Sequence, residues 1–120
     1  MSISLYAVTW DCSNAKSQAQ FWSTVLGKPV MEGATEEFAA IGLQDPPELR
    51  PHWMFIKAPE GKVAKNRFHP DLITGDLEAE VTRFIDAGAA KKGAFEENGA
   101  RWVTLADPEG NEFDVVAESA

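Results

Sequence analysis

Apolar residues recur along this chain at two different spacings. At helical spacing, Ala15, Ala19 and Trp22 form one stripe and Leu77, Val81 and Phe84 form another, which predicts two amphipathic helices. The first runs from about Ala15 to Leu26. Asp11, Ser13 and Asn14 are its N-cap candidates, Gly27 ends it and Pro29 prevents continuation. The second runs from about Leu77 to Ala87, opened by Gly75-Asp76 and closed by Gly88. At strand spacing, β-branched and aromatic residues mark Ile3 to Asp11, Pro29 to Glu32, Glu37 to Leu43, His52 to Lys57 and Arg67 to Ile73. Pro70 inside the last of these implies an edge position or a bulge. Two more strands flank Asn98-Gly99, whose residues tolerate the positive φ of a tight hairpin turn. A final hairpin is folded at Asp107-Pro108-Glu109-Gly110, with Gln44 to Pro51 a proline-rich loop and Ala58 to Asn66 a polar linker.

The chain repeats itself at an offset of 62 positions. Leu43, Asp45 and Pro46 recur as Leu105, Asp107 and Pro108, Ile41 corresponds to Val103, and the two helical stripes align at the same offset. Internal similarity of this kind implies a duplicated unit. The predicted fold is α+β, with two tandem β-α-β-β-β modules forming a curled mixed sheet around a cleft and the helices on its outer face. Module one spans about residues 1–58, the linker 59–66 and module two about 67–120, within a single domain.

Alternation divides each strand between two faces. One face carries Val8, Trp10, Met54, Ile56, Leu72, Val103, Leu105, Phe113 and Val115, nearly all apolar, and is expected to meet the helices. The other carries Ala7, Thr9, Asp11, Trp53, Phe55, Lys57, His69, Asp71, Trp102, Thr104, Glu112 and Asp114. Aromatic and titratable groups mixed in this way line ligand clefts. Thr9, Asp11, Trp53, Phe55, Trp102, Thr104 and Glu112 are therefore the candidate ligand-binding residues.

Composition narrows the partners. Eleven basic against nineteen acidic residues give a net charge of −8 without a basic stripe, which argues against nucleic acid and suits a cationic ligand. The single cysteine, Cys12, cannot form an internal disulfide, as expected in a reducing cytoplasm. With no apolar run approaching membrane-spanning length and no signal-peptide pattern, a soluble, unprocessed, cytoplasmic protein without membrane partners is expected. No nucleophile elbow, phosphate loop, dinucleotide fingerprint or paired-cysteine motif is present.

Four features together resemble the vicinal oxygen chelate superfamily, and within it the glyoxalase-like domain group. They are the duplicated β-α-β-β-β order, Gln20-Phe21-Trp22 followed by Val25-Leu26-Gly27-Lys28-Pro29-Val30, the segment Asn66 to Leu72 containing His69, and the closing Asp107-Pro108-Glu109-Gly110-Asn111-Glu112-Phe113. The superfamily includes glyoxalase I, extradiol dioxygenases, fosfomycin-resistance enzymes and bleomycin-binding proteins. Its fold is well identified by these motifs and its reaction is not.

The resemblance implies a metal held by four side chains, two from each module. Position by position, two fall on His69 and Asp114, whereas the others fall on Ala7 and near Phe55, neither of which can ligate. His52 lies 62 residues before Asp114, so an ungapped match makes it a spare candidate for the fourth ligand, although the alternation above turns it off the cleft face. Two ligands hold a divalent ion weakly, so no cofactor is expected, a divalent metal on His69 and Asp114 being the alternative. The same two residues are the candidate catalytic acid/base pair, the carboxylate orienting the imidazole. The leading expectation is a metal-independent binder of an aromatic or cationic small molecule. The alternative is a lyase or isomerase-type enzyme acting on a small carbonyl substrate through His69 with Asp114 or Glu112. The resemblance also implies a homodimer.

Overall fold

The computed structural model describes residues 5–62, 64, 66 and 68–118. The chain divides into two compact units, Met1–Gly61 and Lys62–Ala120.

In the first unit, β1 (Ala7–Cys12), β2 (Phe38–Ile41) and β3 (His52–Lys57) form a mixed sheet in the order β1-β3-β2, covered by α1 (Ala15–Leu26). Helix α1 starts where Asn14 Oδ1 accepts the Ser17 amide at 3.0 Å, so Asn14 rather than Asp11 is the cap. It ends at Gly27, whose φ of 69° is the left-handed geometry that glycine adopts without a Cβ penalty. Its buried stripe carries Ala15, Ala19 and Trp22, all at 0% exposure. Trp22 meets Trp10 of β1 and Trp53 of β3, each at 5.1 Å between ring centroids, and Trp10 stacks on Trp53 at 5.5 Å. This aromatic triad ties helix to sheet.

The triad corrects the facing of β3. The parallel register sets Val8 beside Trp53 and Trp10 beside Phe55, and residues side by side in a ladder share a face. Trp53 and Phe55 therefore turn with Trp10 toward the helix, and Phe55 is fully buried. Met54 and Ile56, expected in the core, lie on the other face, where Ile56 is exposed. His52 moves with them, beside Ala7. A one-residue error in phase reverses every side chain of a strand, and the run His-Trp-Met-Phe-Ile offers apolar residues to both phases.

The second unit contains β4 (Asp71–Thr74), α2 (Leu77–Asp86), β5 (Ala90–Glu97), β6 (Ala100–Ala106) and β7 (Glu112–Ala117), with strand order β4-β7-β6-β5. Strands β4 and β7 run parallel, while β7, β6 and β5 are antiparallel. Asp76 caps α2 by accepting the Ala79 amide at 3.1 Å, and Leu77 and Phe84 bury its apolar side, Phe84 standing 6.1 Å from Phe113 of β7. Leu105, Phe113 and Val115 are buried on the helix-facing side of this sheet. Asn98 and Gly99, with φ of 53° and 83°, make the β5–β6 turn, as their sequence predicts.

Each sheet is mixed and neither closes on itself, so the fold is α+β. Several boundaries differ from expectation. Pro29 to Glu32 is not a strand: only Val30 bridges to Ile41, because Pro29 lacks an amide donor and Gly33 turns the chain with φ of 91°. Among the described residues the first unit thus has one strand fewer than the second. The loop after β2 includes a short 3₁₀ turn over Pro47–Leu49. Pro70 precedes β4 instead of interrupting it, its carbonyl accepting the Asp114 amide at 3.1 Å. Of the expected strands, Ile3 and Arg67 lie outside the described residues. Cys12 is buried with its Sγ 3.5 Å from the Ile56 carbonyl, a packed strand-end residue.

The corrected facing of β3 is open to measurement by denaturant unfolding. Phe55→Ala should cost roughly 3–5 kcal/mol as a buried aromatic truncation, whereas Ile56→Ala should cost about 1 kcal/mol or less as a partly exposed change. The opposite ranking would restore the phase read from the sequence.

Candidate functional site

The turn between β6 and β7 sets the geometry of the second unit's polar face. Asp107, 3% exposed, accepts the Glu109 and Asn111 amides on Oδ1 at 3.0 and 2.9 Å, and the Asn111 side-chain amide on Oδ2 at 3.2 Å. Gly110 completes the turn at φ of 90°, a value no side chain adopts without strain. With the turn fixed, the ladder pairs Thr104 with Asp114 and Trp102 with Val116, and the parallel strand β4 sets Asp71 beside Asp114. Thr104, Asp71 and Asp114 therefore share one face, opposite Phe113 and Val115.

His69 joins them from the segment leading into β4. Its Nδ1 stands 2.8 Å from Asp71 Oδ1 and 3.8 Å from Asp114 Oδ2. The imidazole's hydrogen-bond partner is thus Asp71, not the Asp114 that the sequence paired with it. Asp114 is held from the other side by Thr104 Oγ1, which donates to Asp114 Oδ1 at 2.6 Å. Because an ionised carboxylate only accepts, the 2.8 Å contact requires a proton on Nδ1 and leaves Nε2 as the basic nitrogen of the neutral ring. The cluster is open to solvent: the His69 and Asp71 side chains are 40% and 56% exposed, and Asp114 is 20% exposed.

Trp102 lies two residues from Thr104 on the same strand and face, stacked on Phe95 of β5 at 5.5 Å. One sheet surface thus carries an aromatic platform and an acidic group with an imidazole.

Donor chemistry is compatible with a divalent ion. Ligand atoms of His69, Asp71 and Asp114 all lie within 4.8 Å of one another, giving one nitrogen and two oxygens where the sequence offered only two ligands. Three protein ligands with open positions suit a hard or borderline cation. Asp71 is the residue that sequence reasoning left out of the candidate set. The His-x-Asp spacing in a strand, which puts both side chains on one face, was the signal for it.

The remaining candidates divide. Glu112 is engaged by a strap from the chain preceding β4: Asn66 Oδ1 accepts the Glu112 amide at 3.0 Å, Asn66 Nδ2 donates to the Glu112 carbonyl at 3.1 Å, and Lys62 Nζ stands 3.5 Å from the Glu112 carboxylate. Burial pushes the Glu112 carboxyl up, but the Glu112 and Asn66 amides and the Lys62 ammonium together outweigh it and hold the group below its ordinary range. Thr9 and Asp11 are exposed residues of β1 in the first unit. Trp53, half-buried, and Phe55, fully buried, both turn to the helix. His52 is 2% exposed, edge-on to Tyr6 at 5.4 Å, and its Nδ1 has no hydrogen-bond partner among the described residues. Helix α2 and the β5–β6 hairpin bound an open cavity of about 520 Å³ lined by Leu77, Val81, Ala94 and Val103 and also by Phe95 and Trp102, with Glu78 and Arg101 paired at 3.2 Å across it. None of His69, Asp71 and Asp114 lines that cavity.

The family pattern described as "Glyoxalase-like domain" matches residues 7–116. No curated protein matches the chain. Among solved structures, the chain is similar to a glyoxalase/bleomycin resistance protein/dioxygenase family enzyme from Burkholderia phytofirmans PsJN, at 18% identity and a TM-score of 0.75 over 96% of this chain and 98% of that one. It is also similar to the genomically encoded fosfomycin resistance protein FosX from Listeria monocytogenes, at 10% identity and a TM-score of 0.75 over 99% and 96% of the two chains. A member of the same superfamily from Sphaerobacter thermophilus aligns at 19% identity with a TM-score of 0.67, covering 97% and 98%. At these identities the likeness is one of fold. Among the described residues, no helix is long and apolar enough to cross a membrane.

The depressed Glu112 value carries a sign. A carboxyl held lower when folded is protonated first in the unfolded chain, so its contribution to stability is present above its ordinary value of 4.5 and is lost as pH falls below that. Urea midpoints measured from neutral pH down to pH 3 should fall more steeply for the native protein than for Glu112→Gln. Equal slopes would mean that the strap contributes nothing through this charge.

Proposed function

Because the chain belongs to the glyoxalase-like domain family, whose members include ligand binders and enzymes, we propose that it is a small-molecule-binding protein. Its site is the polar face of the second unit, and its ligand is aromatic or cationic. The observation that supports this most directly is the combination on one sheet of the Trp102–Phe95 platform with the carboxylates of exposed Asp71 and half-buried Asp114. An aromatic ring is recognised by stacking on such a platform. A cationic group is recognised by carboxylates whose geometry is already fixed, Asp114 by Thr104 and Asp71 by the ladder to β7. The net charge of −8 favours the approach of a cation over that of an anion.

A specific observation favours a second reading, an enzyme on a small carbonyl or enolisable substrate. Asp71 at 2.8 Å and Asp114 at 3.8 Å from Nδ1 orient the His69 ring and leave Nε2 as the nitrogen that can accept a proton. In this reading Nε2 accepts a proton from the carbon beside the carbonyl, and the same nitrogen returns it. His69, Asp71 and Asp114 are also the residues that would hold a divalent metal, which when bound supplies polarisation of a substrate oxygen.

Thermal-shift screening against cationic glycopeptides and planar aromatics tests the first reading, since a ligand that binds only the folded chain raises its melting temperature. A saturable rise is expected. Asp71→Asn should weaken a cationic ligand by roughly tenfold or more, the loss of one charge-assisted contact of about 1.5–3 kcal/mol, and leave a neutral aromatic ligand unaffected. Trp102→Ala should weaken both. Insensitivity to both substitutions would move the site off this face.

The second reading is tested by elemental analysis after exposure to nickel, zinc or iron. It expects one ion per chain, lost in His69→Ala and in Asp71→Asn. Turnover of the hemithioacetal of methylglyoxal and glutathione that survives chelation but disappears in Asp114→Asn would instead assign metal-free proton transfer. A metal-free protein with neither turnover nor a response to these variants leaves the binding reading alone.

A further inference from the structure

The register that gathers the acids of the second sheet also builds an apolar row beside them. Pairing sets Ile73 beside Val116, Val116 beside Trp102 and Trp102 beside Phe95, so the row crosses all four strands. Two residues along each strand, the same ladders set Asp71 beside Asp114, Asp114 beside Thr104 and Thr104 beside Gly93. Side chains two apart on a strand share a face, so the two rows run side by side, opposite the core residues Phe113 and Val115. Ile73 is 69% exposed and Phe95 49% exposed, with Val116 and Trp102 half-buried between them. A single exposed apolar side chain needs no explanation, whereas a contiguous row rimmed by polar groups marks an interaction surface.

The polar row differs at its two ends. On β4 and β7 it is acidic. Asp71 Oδ1 is engaged by His69 and Asp114 Oδ1 by Thr104, while Oδ2 of each accepts no hydrogen bond among the described residues and suits the donors of an ammonium group. On β5 the row ends in Gly93, which offers no side chain. The Phe95 ring lies over that gap, because a Cβ added at Gly93 would meet it at 2.9 Å. Gly93 is not among the glycines with positive φ, so what it supplies here is space for the ring and not backbone freedom.

These positions fix a spacing. Asp114 and Trp102 are diagonal neighbours across the β6–β7 ladder, and such positions stand roughly 7–8 Å apart. Val116 fills the angle between them, two residues from Asp114 on its own strand and directly beside Trp102. An ammonium on Asp114 and Asp71 and a ring on the Trp102–Phe95 stack are therefore joined by a short alkyl linker resting on Val116.

We infer that the ligand of this face is an arylalkylamine, a protonated amine joined through a short alkyl linker to an aromatic ring, held at both ends at once, with Gly93 setting the room given to the ring. The inference rests on the binding reading above and narrows it from a ligand that is aromatic or cationic to one molecule that is both. Once one end is bound, the contact at the other is intramolecular, and linked groups bind more tightly than separate ones.

The test is isothermal titration calorimetry of the full chain with phenylpropylamine and three comparators. Phenylpropanol lacks the charge, propylamine lacks the ring, and benzylamine has too short a linker to span the two rows. Phenylpropylamine should bind about tenfold or more tighter than each of them. Asp71→Asn should weaken phenylpropylamine by about tenfold and leave phenylpropanol unchanged. Gly93→Ala, which displaces the Phe95 ring, should weaken both ring-bearing propyl compounds and leave propylamine unchanged, with circular dichroism to confirm folding and Phe95→Ala as the second variant for the same contact. Phenylpropylamine no tighter than the better of phenylpropanol and propylamine would overturn the inference while leaving separate aromatic and cationic sites on this face. Binding of none of the four overturns it as well, and the broader binding reading then falls only if the thermal-shift screen is also silent. Equal affinity of native protein, Gly93→Ala and Phe95→Ala for phenylpropylamine would overturn the placement of the ring.

Discussion

The buried carboxylate of Asp107 is the constraint on which the site depends. Three donors from the turn converge on it, the Glu109 and Asn111 amides and the Asn111 side chain, and a buried carboxylate without them would be unfavourable. Satisfying it fixes the length of the turn and therefore the register of β6 against β7. That register sets Thr104 opposite Asp114 and Leu105 opposite Phe113. Slipped by one residue, the ladder would send Asp114 toward Phe84 and expose Phe113. The hydrophobic core and the chemical face are two consequences of one turn.

The duplication shows the same plan executed under different local rules. Helices α1 and α2 begin 62 residues apart, at Ala15 and Leu77. Strand orders correspond as well, with β1-β3-β2 matching the β4-β7-β6 part of the second sheet. The copies differ where the chemistry differs. Pro29 and Gly33 prevent a fourth strand in the first unit, while Asn98-Gly99 closes a long hairpin in the second. The tryptophan triad of the first unit fills the helix–sheet interface, and the second unit leaves an open cavity between α2 and the β5–β6 hairpin.

Likeness of fold at below 20% identity says little about chemistry, because one scaffold accommodates many sites. The candidate chemistry of this chain lies in its second sheet. An imidazole and two carboxylates gather at one point, beside an aromatic stack. Asp71 is central to that content. It holds the imidazole, it completes a three-donor set, and its place beside Asp114 follows from parallel pairing of β4 with β7.

By itself the sequence determined the elements whose signals are local. Helix α1 begins and ends where its apolar stripe, Asn14 and Gly27 put it, β3 spans His52 to Lys57, and Asn98-Gly99 turns the hairpin, since caps and turns depend on a few adjacent residues. It also placed His69, Thr104 and Asp114 on a common face by alternation alone. Only the tertiary structure decided what depends on neighbours distant in sequence. The phase of β3 was undecidable in a run apolar on both faces until β1 paired with it and Trp22 packed over it. The partner of His69 was likewise undecidable, because the distance from Nδ1 to two acids on one face is set by how β4 docks along β7 and by Thr104 holding Asp114.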